Sequence, residues 1–439
     1  MLIQETKECW EQLAPFRRKR LRCIDYTFGR QWNDIIEIDG RRLTEYEYIL
    51  SEGNVPLKNN LIRRIVRNVI GVFRQRLPEM LEEEYTGELH EIKEQNYLGE
   101  LFCRLMEEFL ISGMAVCRKR LGERNGVNGI WTDIVSPANF FFNTDSRDFR
   151  GWDLNLVGQI HNVDLRDWCR AFVKSPDDYK RTLAIFNQGK RRLKITEVWK
   201  KEVRPMIMVH DQKAGYIRKF PEEESCSPKW KDAPQKWVME EMWRYYFLTD
   251  DGTVIAEGDS PYIHRGHPFV MMAYPYLDGE IQSFVADMID QQRYTNRLIT
   301  LYDWVIRASA KGVLLLPEGA VEPSTLRDVA NQWGRFNGVI VYRPDPASPE
   351  PRQINGSNNN LGISELLEIQ LKMMEDVSGV NGILQGNTSG GNVSGELYNS
   401  QTTNALYSLS DFLESFRRLI HESSEKDRLL LYQTIGKFP

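Results

Sequence analysis

Apolar residues fall at helical spacing along three long stretches of the C-terminal half, and the rest of the chain reads around them. Residues 281–310 run thirty positions without Gly or Pro. Ile281, Phe284/Val285, Met288, then Leu298, Leu301/Tyr302 and Val305 recur every three to four positions. This is the signature of one helix face, and it predicts a rod of ~45 Å. Residues 364–378 repeat the pattern through Leu366, Ile369/Gln370, Met373 and Val377, with Gly379 placed to end the helix. Val380–Ser394 follows, with four glycines and no charged residue. From Glu396 a third helix is expected to run to Ile435, ~60 Å if unbroken.

Upstream, residues 4–24 are expected to form a helix carrying Arg17-Arg-Lys-Arg20 and Arg22, broken by Gly29. Residues 59–75 form an amphipathic helix through Leu61, Ile62, Ile65, Val66, Val69, Ile70 and Phe73, with Arg63, Arg64, Arg67 and Arg74 opposite. A further helix is expected over 88–112. The pattern then turns to strands at 115–120, 129–135 and 139–142. Short helices are expected at 164–172 and 176–187, and a strand at 194–200. Residues 204–236 show no ordered pattern. Residues 243–248 and 254–256 flank Asp251-Gly252 and predict a hairpin with a type I′ turn. His267–Tyr276 reads as another extended run. Between the first two rods, 313–316 and 339–343 read as strands around a short helix at 324–333, with a proline-punctuated exit at 344–351.

The 439 residues suggest about two to four domains. A hydrophobic content of 41% and a charged content of 27% are ordinary for a packed globular chain. The net charge of −5 argues against tight capture of nucleic acid, though not against letting it slide past. No window is apolar enough for a transmembrane helix, and no signal peptide is visible. Six scattered cysteines read as reduced thiols of a cytosolic compartment.

Motifs for chemistry are missing. The Gly-rich segment lacks the Lys of a phosphate-binding loop, and Gly386-Asn-Thr-Ser-Gly390 has Thr388 where a nucleophile elbow needs Ser. His264 and His267 read as ordinary loop histidines, since no third metal ligand stands near them in sequence. The arginine runs at 17–22 and 63–74 suit solvated helix faces or ion pairs between subunits, with contact to DNA or acidic partners as the other reading. The aromatics at 10–32 and 243–247 read as core. No cofactor, metal or catalytic residue is expected.

In order along the chain stand Tyr26-Thr-Phe-Gly-Arg-Gln-Trp32, Asn59-Asn-Leu-Ile62, Val135-Ser-Pro-Ala-Asn-Phe-Phe141, Ile195-Thr-Glu-Val-Trp199 and Pro268-Phe-Val270 with Asp278-Gly279. Met288-Ile-Asp-Gln-Gln-Arg-Tyr-Thr-Asn-Arg-Leu298, Val377-Ser-Gly-Val-Asn-Gly-Ile-Leu-Gln-Gly386 and Val393-Ser-Gly395 complete the series. In this order the chain resembles a tailed-bacteriophage portal protein, a head-to-tail connector. The resemblance implies an α+β, multi-domain subunit with long stem and wing helices and a small α/β clip, assembling into a ring, usually of twelve. Residues 1–279 would be the wing, 280–310 and 362–378 the stem helices, and 311–361 the clip. Residues 379–395 would be the tunnel loop and 396–439 a long wing helix, with any crown minimal or outside the chain.

The implied function is a channel at one capsid vertex for packaging and ejecting double-stranded DNA. Gln385, Asn387, Thr388, Ser389 and Asn392 would meet DNA. Leu326, Arg327, Asn331 and Arg335 would dock the terminase large subunit and later a head–tail adaptor protein. Arg17, Arg18, Arg20, Arg63 and Arg67 would lie at subunit contacts, and the major capsid or scaffolding protein would be a further partner. No membrane is involved. The location would be the virion, and the host cytoplasm during assembly. Two other readings stand beside this one: a large soluble α+β enzyme with an unrecognised active site, and a scaffold of another assembly.

Overall fold

A computed structural model describes residues 2–148, 150–186, 191–211, 216–221, 235–311, 313–315, 352–354, 362–380 and 407–436. The chain is α+β and divides into two units. The first gathers Met1–Arg30, Asn60–Ile289 and Glu375–Pro439, the second Gln31–Asn59 and Asp290–Met374.

The helix expected over 4–24 is two helices, α1 (Leu2–Gln12) and α2 (Ala14–Thr27). Pro15 lies in the first turn of α2, where its missing N–H is tolerated, but it cannot continue a helix from upstream. In the second unit, strands β1 (Ile35–Ile38) and β2 (Arg41–Thr44) form a hairpin that leads into helix α3 (Glu45–Ser51). Thr44 and Glu47 close a capping box at its start. Helix α4 (Leu61–Glu84) outruns the expected 59–75, with Asn60 accepting from the Arg63 N–H at 3.0 Å. The 88–112 pattern is also two helices, α5 (Leu89–Gln95) and α6 (Leu98–Ser112). Tyr97 between them is left-handed, φ 49°. Helix α6 stops at Gly113, φ 79°, where an added Cβ would sit 2.0 Å from the Gln282 carbonyl. Both facts demand glycine there.

Strand β3 (Met114–Arg124) lies between β4 (Val127–Ile134) and β11 (Phe269–Ala273) in an antiparallel sheet. A second sheet runs β10 (Val254–Asp259), β9 (Gln235–Thr249), β7 (Leu193–Asp211), β6 (Leu156–Val163), β5 (Phe140–Phe142), with β8 (Tyr216–Pro221) also on β7. Helices α7 (Leu165–Phe172) and α8 (Pro176–Phe186) fall where the sequence places them, α7 capped by Asp164. Of the stretch without a pattern, 204–236, residues 204–211 belong to β7, 216–221 to β8 and 235–236 to β9, and the rest lies outside the described residues. The expected type I′ turn is instead a loop of Asp250, Asp251 and Gly252, in which only Gly252 has positive φ.

The rod expected from 281 begins later. Strands β12 (Tyr276–Leu277) and β13 (Glu280–Ile281) pair, the Ser283 hydroxyl accepts from the Ala286 N–H at 3.0 Å, and helix α9 runs from Ile289 to Lys311. Ile281, Phe284, Val285 and Met288 are all buried. They stand on β13, a turn and a short 3-10 helix (Ala286–Met288) rather than on one α-helix face, and the Ser283 hydroxyl competes locally for the backbone.

Strand β14 (Val313–Leu315) pairs with β15 (Arg352–Ile354), a strand the sequence pattern does not announce. The expected elements at 324–333 and 339–343 lie outside the described residues. Helix α10 (Ile363–Ser378) agrees with the second rod and α11 (Ser410–Ile435) with the far part of the third; 396–406 lies outside the described residues. Cys9, Cys23, Cys103, Cys117 and Cys169 form no disulfide, and Cys226 lies outside the described residues.

In the first unit α11 is wrapped by helices and sheet. Phe416 meets Phe73, Phe102 and Phe109, with ring centroids 5.0, 6.4 and 5.8 Å away. About three turns along α11 from Phe416, Lys119 and Asp427, both without solvent exposure, pair at 2.5 Å. Lys119 also donates to the Thr132 hydroxyl at 2.8 Å, and the Tyr85 hydroxyl donates to Asp427 at 3.1 Å. Burial raises the Asp427 pKa, and Lys119 opposes it. Lys119→Met should leave Asp427 buried without its cation and lower stability by about 3–5 kcal/mol. Adding Asp427→Leu should recover most of that. Urea unfolding of the two single variants and the double variant measures the coupling; additive losses would contradict the pairing.

Candidate functional site

The residues expected to meet DNA (Gln385, Asn387, Thr388, Ser389, Asn392) and those expected to dock a motor (Leu326, Arg327, Asn331, Arg335) lie outside the described residues. The structure does describe the bases of both segments. Gly379 ends α10 with φ +64°, as its position predicts, and its carbonyl accepts the Ser408 hydroxyl at 2.9 Å. A Cβ on Gly379 would lie 2.6 Å from that hydroxyl, so the approach needs glycine. Val380 is fully buried, and its N–H donates to the Ser378 hydroxyl at 3.2 Å. The chain therefore leaves at 380 and returns at 407 at the same place. Residues 316–351 likewise depart from and return to one neck, with Val313 opposite Ile354 and Leu315 opposite Arg352.

The helices beside these bases carry apolar side chains outward. On α9, Tyr294, Leu301, Tyr302, Trp304 and Ile306 are exposed, and on α10 Leu366, Ile369, Leu371 and Met373, all between 38% and 49%. Leu366, Ile369 and Met373 recur at three and four residues, so they share one face. Within the second unit, a cavity of about 600 Å³ opens among Trp32, Ile36, Tyr48, Ile49, Leu301 and Trp304. Glu45, Glu52, Asn54, Arg297 and Thr300 line the same cavity, so its wall mixes apolar and polar side chains. The inner side of α9 is polar and bonded. Buried Glu45 takes both Arg293 and Arg297, and Asn296 receives from the Asn59 N–H at 3.1 Å and donates to Gln31 at 2.7 Å.

Three of the five arginines expected at subunit contacts have partners within their own unit. Arg17 stacks over Trp10, 3.6 Å from the ring centre, and donates to the Trp10 carbonyl at 2.5 Å. Arg20 grips Glu108 through two bonds of 2.7 and 2.8 Å. Arg63 pairs with Glu107 and lies over Phe28. Arg18 and Arg67 are exposed. The partner carboxylates sit on α6, far away in sequence, so spacing alone offered no signal for them.

His264 and His267 stand on a connecting segment, as expected, but they are turned inward. His264 accepts the Gly266 N–H at 3.0 Å, and His267 packs edge-on to Trp243 with centroids 4.9 Å apart. Burial first, and then the Lys426 charge, push both imidazoles down, His264 to about 4 and His267 well below its usual value. Burial also lowers Lys426 to about 8, and its ammonium donates to the carbonyls of His267 at 3.1 Å and Phe269 at 2.5 Å. Among the described residues, no group of three or more His, Cys, Asp or Glu side chains is placed to hold a metal. Nor is any helix there long and apolar enough to cross a membrane.

Compared with known families, residues 3–426 match the model of the phage P22-like portal protein. A search of curated proteins found no match.

The two inward histidines make stability depend on pH. Their folded pKa values lie below the ordinary 6.5, so the unfolded chain takes up protons first as pH falls. Stability from this source is present above pH 6.5 and is lost as pH falls toward about 4. The slope is at most about 1.4 kcal/mol per pH unit for each histidine. Urea midpoints between pH 7 and 5 should fall less steeply for His264→Phe/His267→Phe than for the wild type; equal slopes would refute the assignment.

Proposed function

Because this chain belongs to the phage P22-like portal protein family, we propose that its copies close into a ring, of twelve subunits, at one capsid vertex. Double-stranded DNA is packaged and later ejected through the central channel. The observation that carries the reading is the family match across residues 3–426, which takes in both units. The family is structural, and the ATPase that drives packaging is a separate polypeptide. The ring stands in the virion, and in the host cytoplasm during assembly.

The outward apolar faces of α9 and α10 support a ring. A head-to-tail contact repeated around a closed circle covers one face of every subunit with another face of its neighbour. We assign α9 and α10 to the stem, residues 311–361 to the clip, 1–279 to the wing and 396–439 to a long wing helix. Arg18 and Arg67 are the expected arginines most open to a neighbouring subunit. In this reading the clip, carrying Leu326, Arg327, Asn331 and Arg335, docks the terminase large subunit and then a head–tail adaptor. The wing meets the capsid or scaffolding protein.

Residues 379–395 form the tunnel loop. Their lack of charge suits a passage that must not trap its cargo, since nonspecific DNA affinity comes from phosphate neutralisation. Gln385, Asn387, Thr388, Ser389 and Asn392 then touch the duplex without ion pairs.

Two outcomes are expected. Negative-stain images of the purified protein should show closed rings. Leu366→Glu/Ile369→Glu should weaken association by at least about ten-fold while leaving the subunit folded. A monodisperse wild-type monomer at micromolar concentration would sink the ring. Asn387→Lys/Ser389→Lys should leave rings intact and slow packaging, more at low than at moderate salt, where phosphate attraction is less screened. Equal single-particle packaging rates for this variant and the wild type at both salts would mean the loop does not meet DNA.

A further inference from the structure

Away from the channel elements, the first unit holds a groove of about 550 Å³ between α7 and the face of the large sheet. Its wall is aromatic: Trp168, Phe172, Trp199, Tyr245, Phe247 and Tyr262. A space of this size takes one or two side chains of a ligand. The rings are packed mostly edge to face. Trp168–Phe172, Phe172–Phe247 and Tyr245–Phe247 meet at 61°, 69° and 63°. Trp199–Tyr262 and Tyr262–His264 stack instead, at 27° and 12°, so the parallel ring faces of the wall are turned to one another rather than left open for a nucleobase.

The charged residues that line it are of both signs, Arg118 and Lys174 with Glu197 and Asp178, and Arg120 follows Arg118 by two residues on the same face of β3. Arg118 lines the groove and pairs with Glu197 at 2.9 Å; Glu197 is fully buried and also accepts from His161 and Trp199. Arg118 retains a buried Nε with no hydrogen-bond partner. Arg120 is exposed. Partial desolvation, then the charges of Arg124, Arg118 and Arg170, push its pKa down against the pull of Asp133. Arg118 and Arg120 both act on the Tyr262 hydroxyl, which places them beside the groove. Arg124 is committed to Asp133, while exposed Arg170 donates to the Glu123 carbonyl at 2.9 Å. Lys174 and Asp178 stand on the far wall. Glu197 is used up inside, so the outer rim presents Arg120, Arg170 and Lys174 against Asp178.

We propose that this groove is a docking site for an acidic segment of a partner protein, which inserts an apolar side chain between Phe172 and Tyr262 and sets its carboxylates on Arg120 and Arg170. The arginine rim selects for negative charge, and the ring edges select for a compact apolar anchor over a base.

The test uses the full-length protein and a fluorescein-labelled peptide in which Leu-Trp is flanked by glutamates, read by fluorescence anisotropy. Two comparators are the same peptide with Gln for Glu and a short oligothymidylate. The acidic peptide should bind, and the Gln peptide should bind at least about ten-fold more weakly. Arg120→Glu and Ala171→Trp, both at exposed positions, should each weaken the acidic peptide by about ten-fold. Three results would overturn the proposal: no binding of the acidic peptide at millimolar concentration, equal binding of the Glu and Gln peptides, or displacement of the peptide by oligothymidylate. Should either variant misfold by circular dichroism, the Glu-against-Gln comparison on the wild type still decides.

Discussion

Helices α4, α5 and α6 and the β4-β3-β11 sheet of the first unit are arranged around one helix brought in from the C-terminal end, and a charged pair sealed from water fixes where that helix lies. Lys119 on β3 and Asp427 on α11 meet at 2.5 Å with no solvent exposure. Burying such a pair costs about as much desolvation as its attraction returns, so its net contribution to stability is small. Its consequence is register. Were α11 to slide or rotate by one residue, Asp427 would leave Lys119 and the Tyr85 hydroxyl, and two charges would stand unpaired in the interior. Phe416, seated among Phe73, Phe102 and Phe109, supplies the apolar counterpart. Ring packing pulls the helix in, and the ion pair sets its phase.

This seating reaches the functional elements through a short path. Helix α11 begins at Ser410, next to Leu409, which is buried, and Ser408, which donates to the Gly379 carbonyl. The register set at Asp427 is thus carried along a rigid helix to the point where residues 381–406 leave and rejoin the fold. The tunnel loop proposed for 379–395 would need fixed ends of this kind. Gly379 and Ser408 supply that fixity by close backbone approach, which any side chain on Gly379 would prevent.

The second unit solves a different problem. Its hairpin, α3 and α9 are joined by buried polar contacts, with Glu45 between two arginines and Asn296 bridging Asn59 and Gln31. Meanwhile the apolar side chains of α9 and α10 point outward. Ordinary folding puts apolar groups inside and polar groups out, and this unit partly inverts that arrangement, as the proposed ring contact would need. Polar bonds hold the piece together, and part of its apolar surface stays open.

The sequence alone determined the features that follow from local period and local chemistry. Helix α10 with its glycine stop, helices α7 and α8, strands β3 and β4, the long run of α11 and the uncharged stretch from Gly379 to Gly395 were all legible, as was the family resemblance. These depend on residues a few positions apart, where spacing and capping carry the information. Tertiary structure alone decided the rest. Pro15 and Tyr97 each divided a pattern that looked continuous, and 281–288 proved to be a strand end, a turn and a short 3-10 helix ahead of the rod. Residues 204–211, from a stretch with no ordered pattern, became strand through their pairing with β9, a partner far along the chain. The carboxylates that hold Arg20 and Arg63, the inward turn of His264 and His267, and the pairing of Lys119 with Asp427 join residues tens to hundreds of positions apart. Nothing in a local window records such a partner. Only the folded chain brings the two charges together, because the low dielectric that makes each so costly alone exists only once the interior has formed.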